Sequence, residues 1–287
     1  MDQRIIDLYD EYTHKPLPRR VFLERLTVLV GGAAAVPAVL RVIEPNYAMA
    51  AMVAEDDPAI TAGMIDHPGG AGTLRGYLAR PAGGGRSPAV IVIHENRGLN
   101  PHIRDVARRF ARDGFLALAP DLLTPLGGTP DDPDRARDLI GQLQRDAVVA
   151  DLRAMTAFLE GHDGGNGKVG AVGFCWGGGM VNQLAVAEPG LDAGVVYYGP
   201  SPEPAQAASI KAPLLLHYAG LDERINAGVP AYETALKAAG VDHTLHMYEG
   251  VNHAFNNDTS AERYDEAAAT LAWQRTVAFL KDRLAAG

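Results

Sequence analysis

The sequence predicts an α/β protein built on a mainly parallel sheet with helices on both faces. Three observations carry that expectation. Short apolar runs at 89–94, 115–119, 169–172, 193–198 and 213–218 alternate with stretches of helical periodicity. These runs are continuous rather than alternating, as strands buried on both faces are. The third observation is Gly173-Phe174-Cys175-Trp176-Gly177, of the form Gly-x-nucleophile-x-Gly, a strand-to-helix turn that projects its central side chain.

The elements follow in order. A polar linker at 54–58 precedes an early strand over 74–79, a glycine turn at 83–85 and a strand over 89–94. That strand ends in His94-Glu95-Asn96-Arg97-Gly98, polar residues at the carboxyl edge of the sheet, where open α/β proteins bind ligands. A helix over 103–113 presents Ile103, Val106, Ala107 and Phe110 on one face, and 115–119 is the next strand. The Gly-, Pro- and Asp-rich stretch 120–133 is long enough to border a pocket. A long helical region then runs to Glu160, the central strand over 169–172 enters the Cys175 turn, and a helix spans 178–187. Strands at 193–198, 213–218 and 244–248 and helices at 227–239 and 260–284 complete the chain.

Composition narrows the function classes. The chain has 287 residues, 47% hydrophobic and 21% charged, which suits one large α/β domain with an appendage. Acidic and basic residues balance within 1–50, so the body carries the net charge of −9. An acidic body without a Lys/Arg cluster excludes nucleic acid and anionic membrane surfaces as partners. One cysteine excludes an internal disulfide.

Within the first fifty residues, Arg19-Arg20-Val21-Phe22-Leu23 precedes an uncharged run from Leu26 to Leu40, and Ala48-Met49-Ala50 follows. The layout resembles a twin-arginine export signal, with Pro18 and Glu24 as departures from that pattern. The apolar run is shorter than the roughly 20 residues of a membrane-spanning helix. The expectation is residues 1–50 as an export signal and a catalytic domain from 55 to 287, hence a periplasmic or exported protein. The alternative is a retained N-terminal helical extension on a cytoplasmic protein.

A thiol nucleophile needs a base and a carboxylate to orient that base. Asp222 follows the strand at 213–218 and His253 follows the strand at 244–248. The order nucleophile, acid, histidine is that of α/β-hydrolases. His217 and His94 read as core histidines, and His243 and His246 lie within a strand. No spacing of the HExxH or cysteine-rich kind points to a metal.

Gly-Phe-Cys-Trp-Gly-Gly at 173–178, the Glu95 strand end, Ala-Pro-Asp-Leu at 119–122, Gly-Leu-Asp at 220–222 and His-Ala-Phe at 253–255 resemble the dienelactone hydrolase (carboxymethylenebutenolidase) family. The resemblance covers about residues 60 to 285. It implies an α/β-hydrolase fold, with a twisted, mainly parallel sheet of about eight strands, and a triad of Cys175, Asp222 and His253. It also implies a Glu95 hydrogen bond to the resting thiol and an oxyanion hole from the backbone N–H groups of Trp176 and Asn96. Without the resemblance Glu95 reads as an ion-pair partner of Arg97. The family's two carboxylate-binding arginines are replaced, one by Leu123-Thr124-Pro125 and one by Asn257. Candidate substrate contacts are therefore Arg97, Leu123 and Asn257, with Arg104 and Arg224 as further cations.

The expectation is a cofactor-independent, metal-free hydrolase of a small ester or lactone, monomeric or a small homo-oligomer. A binding protein on the same scaffold and a cysteine-dependent thioester or peptide hydrolase are the alternatives.

Overall fold

Eight strands form one sheet in the order β1-β2-β4-β3-β5-β6-β7-β8 in the computed structural model, which describes residues 1–15, 17–47 and 51–285. At one edge β1 (Ile60–Pro68) and β2 (Thr73–Pro81) form an antiparallel hairpin, and β2 pairs antiparallel with β4 (Leu116–Asp121). The remaining strands, β3 (Ser87–Ile93), β5 (Gly165–Phe174), β6 (Ala193–Tyr197), β7 (Leu214–Ala219) and β8 (His243–Tyr248), are parallel. The chain winds one way from β3 to β4 and the other way from β5 onward. The crevice between the carboxyl ends of β3 and β5 is thus the topological switch point, where ligands bind in sheets of this kind.

Each face of the sheet has its own apolar core. On one side Val90, Val92, Val172 and Phe174 meet α4 (Pro101–Arg112) through Ile103, Val106 and Phe110, and α10 (Glu266–Arg283) through Ala272 and Leu280. On the other, Ile91, Ile93 and Ala171 meet α6 (Arg145–Glu160) through Leu152 and Met155, α7 (Trp176–Ala187) through Val181 and Leu184, and α9 (Val229–Ala239) through Leu236. Double coverage explains why the parallel strands carry uninterrupted apolar sequence. The α/β-hydrolase architecture with about eight strands is as the sequence led us to expect.

Three differences from the sequence expectation have physical causes. The helical region before Glu160 is two helices, α5 (Pro133–Ile140) and α6, because the chain turns at Gly141–Leu143. The last helix starts at Glu266 rather than at 260, with the Asp265 carboxylate accepting from the Ala268 N–H as its cap. β1 was not anticipated: it is an edge strand, half-exposed along its length, without a clear apolar alternation.

The N-terminal segment forms a helical cap with its own small core. Here α1 (Gln3–His14), α2 (Arg19–Leu29) and α3 (Val36–Ile43) bury Ile5, Tyr9, Tyr12, Phe22, Leu26 and Ile43 together, with Tyr12 stacked on Phe22 at 4.4 Å. Arg19 pairs with Asp134 at 2.8 Å and with Glu44 at 3.1 Å, and the Asn46 N–H donates to the Thr259 carbonyl at 2.7 Å. Ala48-Met49-Ala50, read above as the end of an export signal, lies outside the described residues. Among the described residues no single helix is long and apolar enough to cross a membrane; α2 and the 33–43 segment have the composition together but bend by 108°.

Candidate active site

Cys175 follows β5 directly and caps α7, with φ 55° and ψ −117°. Its N–H donates to the Tyr197 carbonyl at 3.0 Å, which ties the turn to the neighbouring strand. The flanking glycines are sterically required. A Cβ on Gly173 would lie 2.2 Å from the Gly177 carbonyl oxygen, and one on Gly177 would lie 2.4 Å from that of His94. Among the described residues only Cys175, Tyr198 and Ala254 combine a side chain with positive φ. Tyr198 lies 4.9 Å ring to ring from His253, and Ala254 follows His253 in sequence. Backbone strain therefore collects around one point, as it does at functional sites.

The structure brings Cys175, Asp222 and His253 together. Asp222 follows β7 and His253 follows β8; both are buried, and His253 Nδ1 is 2.5 Å from Asp222 Oδ2. The Asp222 carboxylate also accepts from the Ile225 N–H in the short α8 (Glu223–Asn226), which fixes its orientation. With Nδ1 so engaged, His253 Nε2 is buried and makes no hydrogen bond. It is available to the thiol or to a ligand.

One participant was not anticipated. His14, the last residue of α1, places Nε2 3.1 Å from Cys175 Sγ, and its Nδ1 lies 2.8 Å from the Asp10 carbonyl oxygen. The His14 and His253 rings meet edge to face at 4.7 Å. Burial pushes the Cys175 thiol up, but the two imidazoles outweigh burial and hold it at about 6, against an ordinary value of about 8.5. Burial disfavours charge on His253, yet Asp10, the thiol and Asp222 raise it well above the usual histidine range. The surroundings of Cys175 thus make its thiol easy to ionise. The available signal for His14 was the apolar stripe of Ile5, Ile6, Leu8, Tyr9 and Tyr12, which marks α1 as a docked helix. The paired arginines that follow it drew the segment toward an export reading.

Glu95 requires a correction. Its carboxylate accepts from Asn257 Nδ2 at 2.8 Å, and the thiol's hydrogen-bond partner is His14. The expected ion pair with Arg97 is also absent, because the Arg97 guanidinium is held by Asp134 at 3.0 Å. Both residues stay near the thiol: Glu95, Arg97, Cys175, His253 and Arg263 border a narrow crevice. The two residues expected to supply oxyanion donors, Trp176 and Asn96, line a cavity beside the thiol. Trp176 is the first residue of α7, so its N–H has no partner within the helix. The Asn96 side chain donates to the Thr13 carbonyl at 2.7 Å, anchoring the end of α1.

That cavity, about 640 Å³, opens onto Cys175 between the cap and the body. Thr13, His14 and Lys15 form one wall; Arg137, Ile140, Trp176, Pro200, Arg224 and Ile225 form others. Of the expected substrate contacts Arg224 lines it, whereas Arg97, Leu123 and Asn257 do not. Arg97 is committed to Asp134, Leu123 packs in a satellite core with Ala136 and Ile140, and Asn257 is spent on Glu95. Arg137 is paired with Asp134 and Asp138, whereas among the described residues Lys15 and Arg224 make no ion pair.

His217 is a core histidine, bonded to Tyr248 Oη and Thr276 Oγ1, and His94 stacks on Trp176. Donors from three distant segments, Cys175 Sγ and ring nitrogens of His14 and His253, lie within 4.8 Å of one another. No local spacing rule would bring these three side chains together.

Comparison with known proteins agrees with this geometry. The model of the dienelactone hydrolase family matches residues 74–284. A Saccharolobus solfataricus protein named as a candidate carboxymethylenebutenolidase is 35% identical over 246 residues, covering 72% of this chain and 93% of that one. The usf protein of Aquifex pyrophilus is 39% identical over 222 residues, with coverages of 74% and 94%. The crystal structure of a candidate dienelactone hydrolase from Klebsiella pneumoniae superposes with a TM-score of 0.71 at 34% identity, covering 77% of this chain and 98% of that one. A fold likeness to the esterase rPPE, at 17% identity and a TM-score of 0.64, extends over 98% of this chain and 96% of that one. With a switch-point crevice, a strained cysteine turn and a family match over most of its length, the chain belongs to the dienelactone hydrolase family and is a hydrolase of the α/β-hydrolase fold.

Proposed function

We propose that this protein hydrolyses a small ester or lactone through an acyl-thioester on Cys175, with Asp222 and His253 completing the triad. The observation that carries the reading is the meeting of a depressed thiol at a strained turn with a histidine whose far nitrogen is held by a buried carboxylate. The thiolate attacks the carbonyl carbon, and the N–H groups of Trp176 and Asn96 receive the developing oxyanion. Collapse breaks the C–O bond to the leaving alcohol. Water, deprotonated by His253, then hydrolyses the thioester, and Asp222 keeps the imidazole in register and stabilises its charge. No cofactor takes part in these steps. Lys15 and Arg224 at the cavity wall favour a substrate that carries negative charge away from the scissile bond.

The test is hydrolysis of p-nitrophenyl acetate, p-nitrophenyl butyrate and a dienelactone by the wild type and by Cys175→Ala. The expected result is turnover by the wild type and a loss of at least about 10³-fold in the variant. A variant as active as the wild type would sink the mechanism. The packing of the cap against Asp134 and Thr259 also favours retention of residues 1–47 over their removal as an export leader. N-terminal sequencing of the protein from its native host should return the intact segment; a start near residue 51 would reverse that reading.

A further inference from the structure

We infer that His14, carried in from the N-terminal cap, is a second catalytic imidazole that takes the Cys175 thiol proton. The inference rests on the cysteine-hydrolase reading and adds a residue that lies outside the family match at 74–284.

The geometry supports this in three ways. First, His14 Nε2 is 3.1 Å from Sγ, within hydrogen-bonding reach for sulfur, while Nδ1 lies against the Asp10 carbonyl. A carbonyl only accepts, so Nδ1 carries the proton and the neutral ring presents the Nε2 lone pair to S–H. Second, two helix ends face each other across this contact. Cys175 caps the N-terminus of α7 and His14 ends α1, both twelve-residue helices. The positive end of the α7 dipole favours the thiolate that forms when the proton leaves. Third, His14 is fixed in place: Asn96 holds the Thr13 carbonyl, and Arg263 holds the Asp10 carboxylate at 3.5 Å.

A second base resolves a difficulty in the simple triad. His253 Nε2 makes no hydrogen bond to the thiol, whereas His14 Nε2 does, and Asp10, Asp222 and the sulfur itself favour the charged form of His253, which suits it to give a proton rather than take one. In the sequence we infer, the Sγ proton moves to His14 Nε2 and the S–H electron pair stays on sulfur. The thiolate attacks, the C–O bond breaks, and the leaving oxygen takes its proton from His253. In the second half His253, now neutral, accepts a proton from water as the hydroxide adds to the thioester. The C–S bond breaks with its pair returning to sulfur, and His14 returns its proton. One water is consumed, and one acid and one alcohol are formed.

The titratable and charged groups around the thiol and its two histidines are Asp10 and His14 on α1, Glu95 and Arg97 after β3, Tyr198 after β6, Asp222 after β7, and His253 and Arg263 after β8. The experiment uses the full-length protein. Iodoacetamide alkylation of Cys175 is followed across pH in the wild type and in His14→Gln, alongside p-nitrophenyl acetate hydrolysis. The wild type should alkylate with a midpoint near about 6. Because the proton acceptor is gone, the variant's midpoint should rise by one unit or more toward that of a free thiol, and its kcat/KM should fall by about 10²-fold. In His14→Ala, added imidazole should restore part of the rate, a response that misfolding would not give. An unchanged alkylation midpoint overturns the inference, whether or not turnover falls. Alkylation does not depend on the substrate, so it still decides the role of His14 if Cys175→Ala shows the hydrolase reading itself to be wrong.

Discussion

The body and the cap each bring one histidine to Cys175, and they hold it differently. The body orients His253 with a buried carboxylate at 2.5 Å, whereas the cap orients His14 with a backbone carbonyl of its own helix at 2.8 Å. Both arrangements select a tautomer. Only the carboxylate adds a full charge that stabilises the imidazolium. The difference suits a division of labour in which His253 is the proton source at the leaving group and His14 exchanges its proton with sulfur. It also reflects how each region is built: β7 and β8 position Asp222 and His253 within the main sheet, while α1 is held by side-chain pairs at its rim.

The sharpest way to break the comparison is Asp222→Asn. The amide can still orient Nδ1 but supplies no charge, and the flipped tautomer it permits removes the base. A fall in kcat of about 10³- to 10⁴-fold is expected, larger than that for His14→Gln. Single-turnover measurements should place the loss in both acylation and deacylation. Equal losses in the two variants would remove the asymmetry argued above.

A milder perturbation separates the cap from the body. Asp134 accepts from Arg19, Arg97 and the Tyr12 hydroxyl together, joining α2, the β3 strand end and α1. Asp134→Asn should loosen the cap by about 1–3 kcal/mol, since buried Arg97 and Tyr12 and half-exposed Arg19 lose a shared charged acceptor. Hydrogen exchange should then speed up in α1 and α2 while the β5 and β6 amides stay protected. Uniform acceleration would mean that cap and body unfold as one unit.

The contrast also explains what could be read in the sequence. The parallel strands, the cysteine turn and the positions of Asp222 and His253 are legible because each depends on local patterning: apolar runs, a glycine-spaced nucleophile, polar residues at strand ends. The same logic put Glu95 at the ligand-binding edge of the sheet, and the family resemblance put it beside the thiol. Its actual partner, Asn257, depends on how the turns at 253–264 fold, and local sequence does not encode that. β1 was missed because an edge strand is free of the pattern that burial imposes. His14 was missed because its role exists only after a helix from the start of the chain has docked across the carboxyl edge of the sheet.

That docking reverses the usual logic of an N-terminal peptide. In a zymogen, proteolysis releases a finished site by removing what covers it. Here a cut between α1 and β1 would leave the β-sheet, the strained cysteine and the Asp222–His253 pair untouched. It would nonetheless carry away the imidazole that contacts the sulfur, so that trimming disarms the thiol while the hydrolase body remains folded.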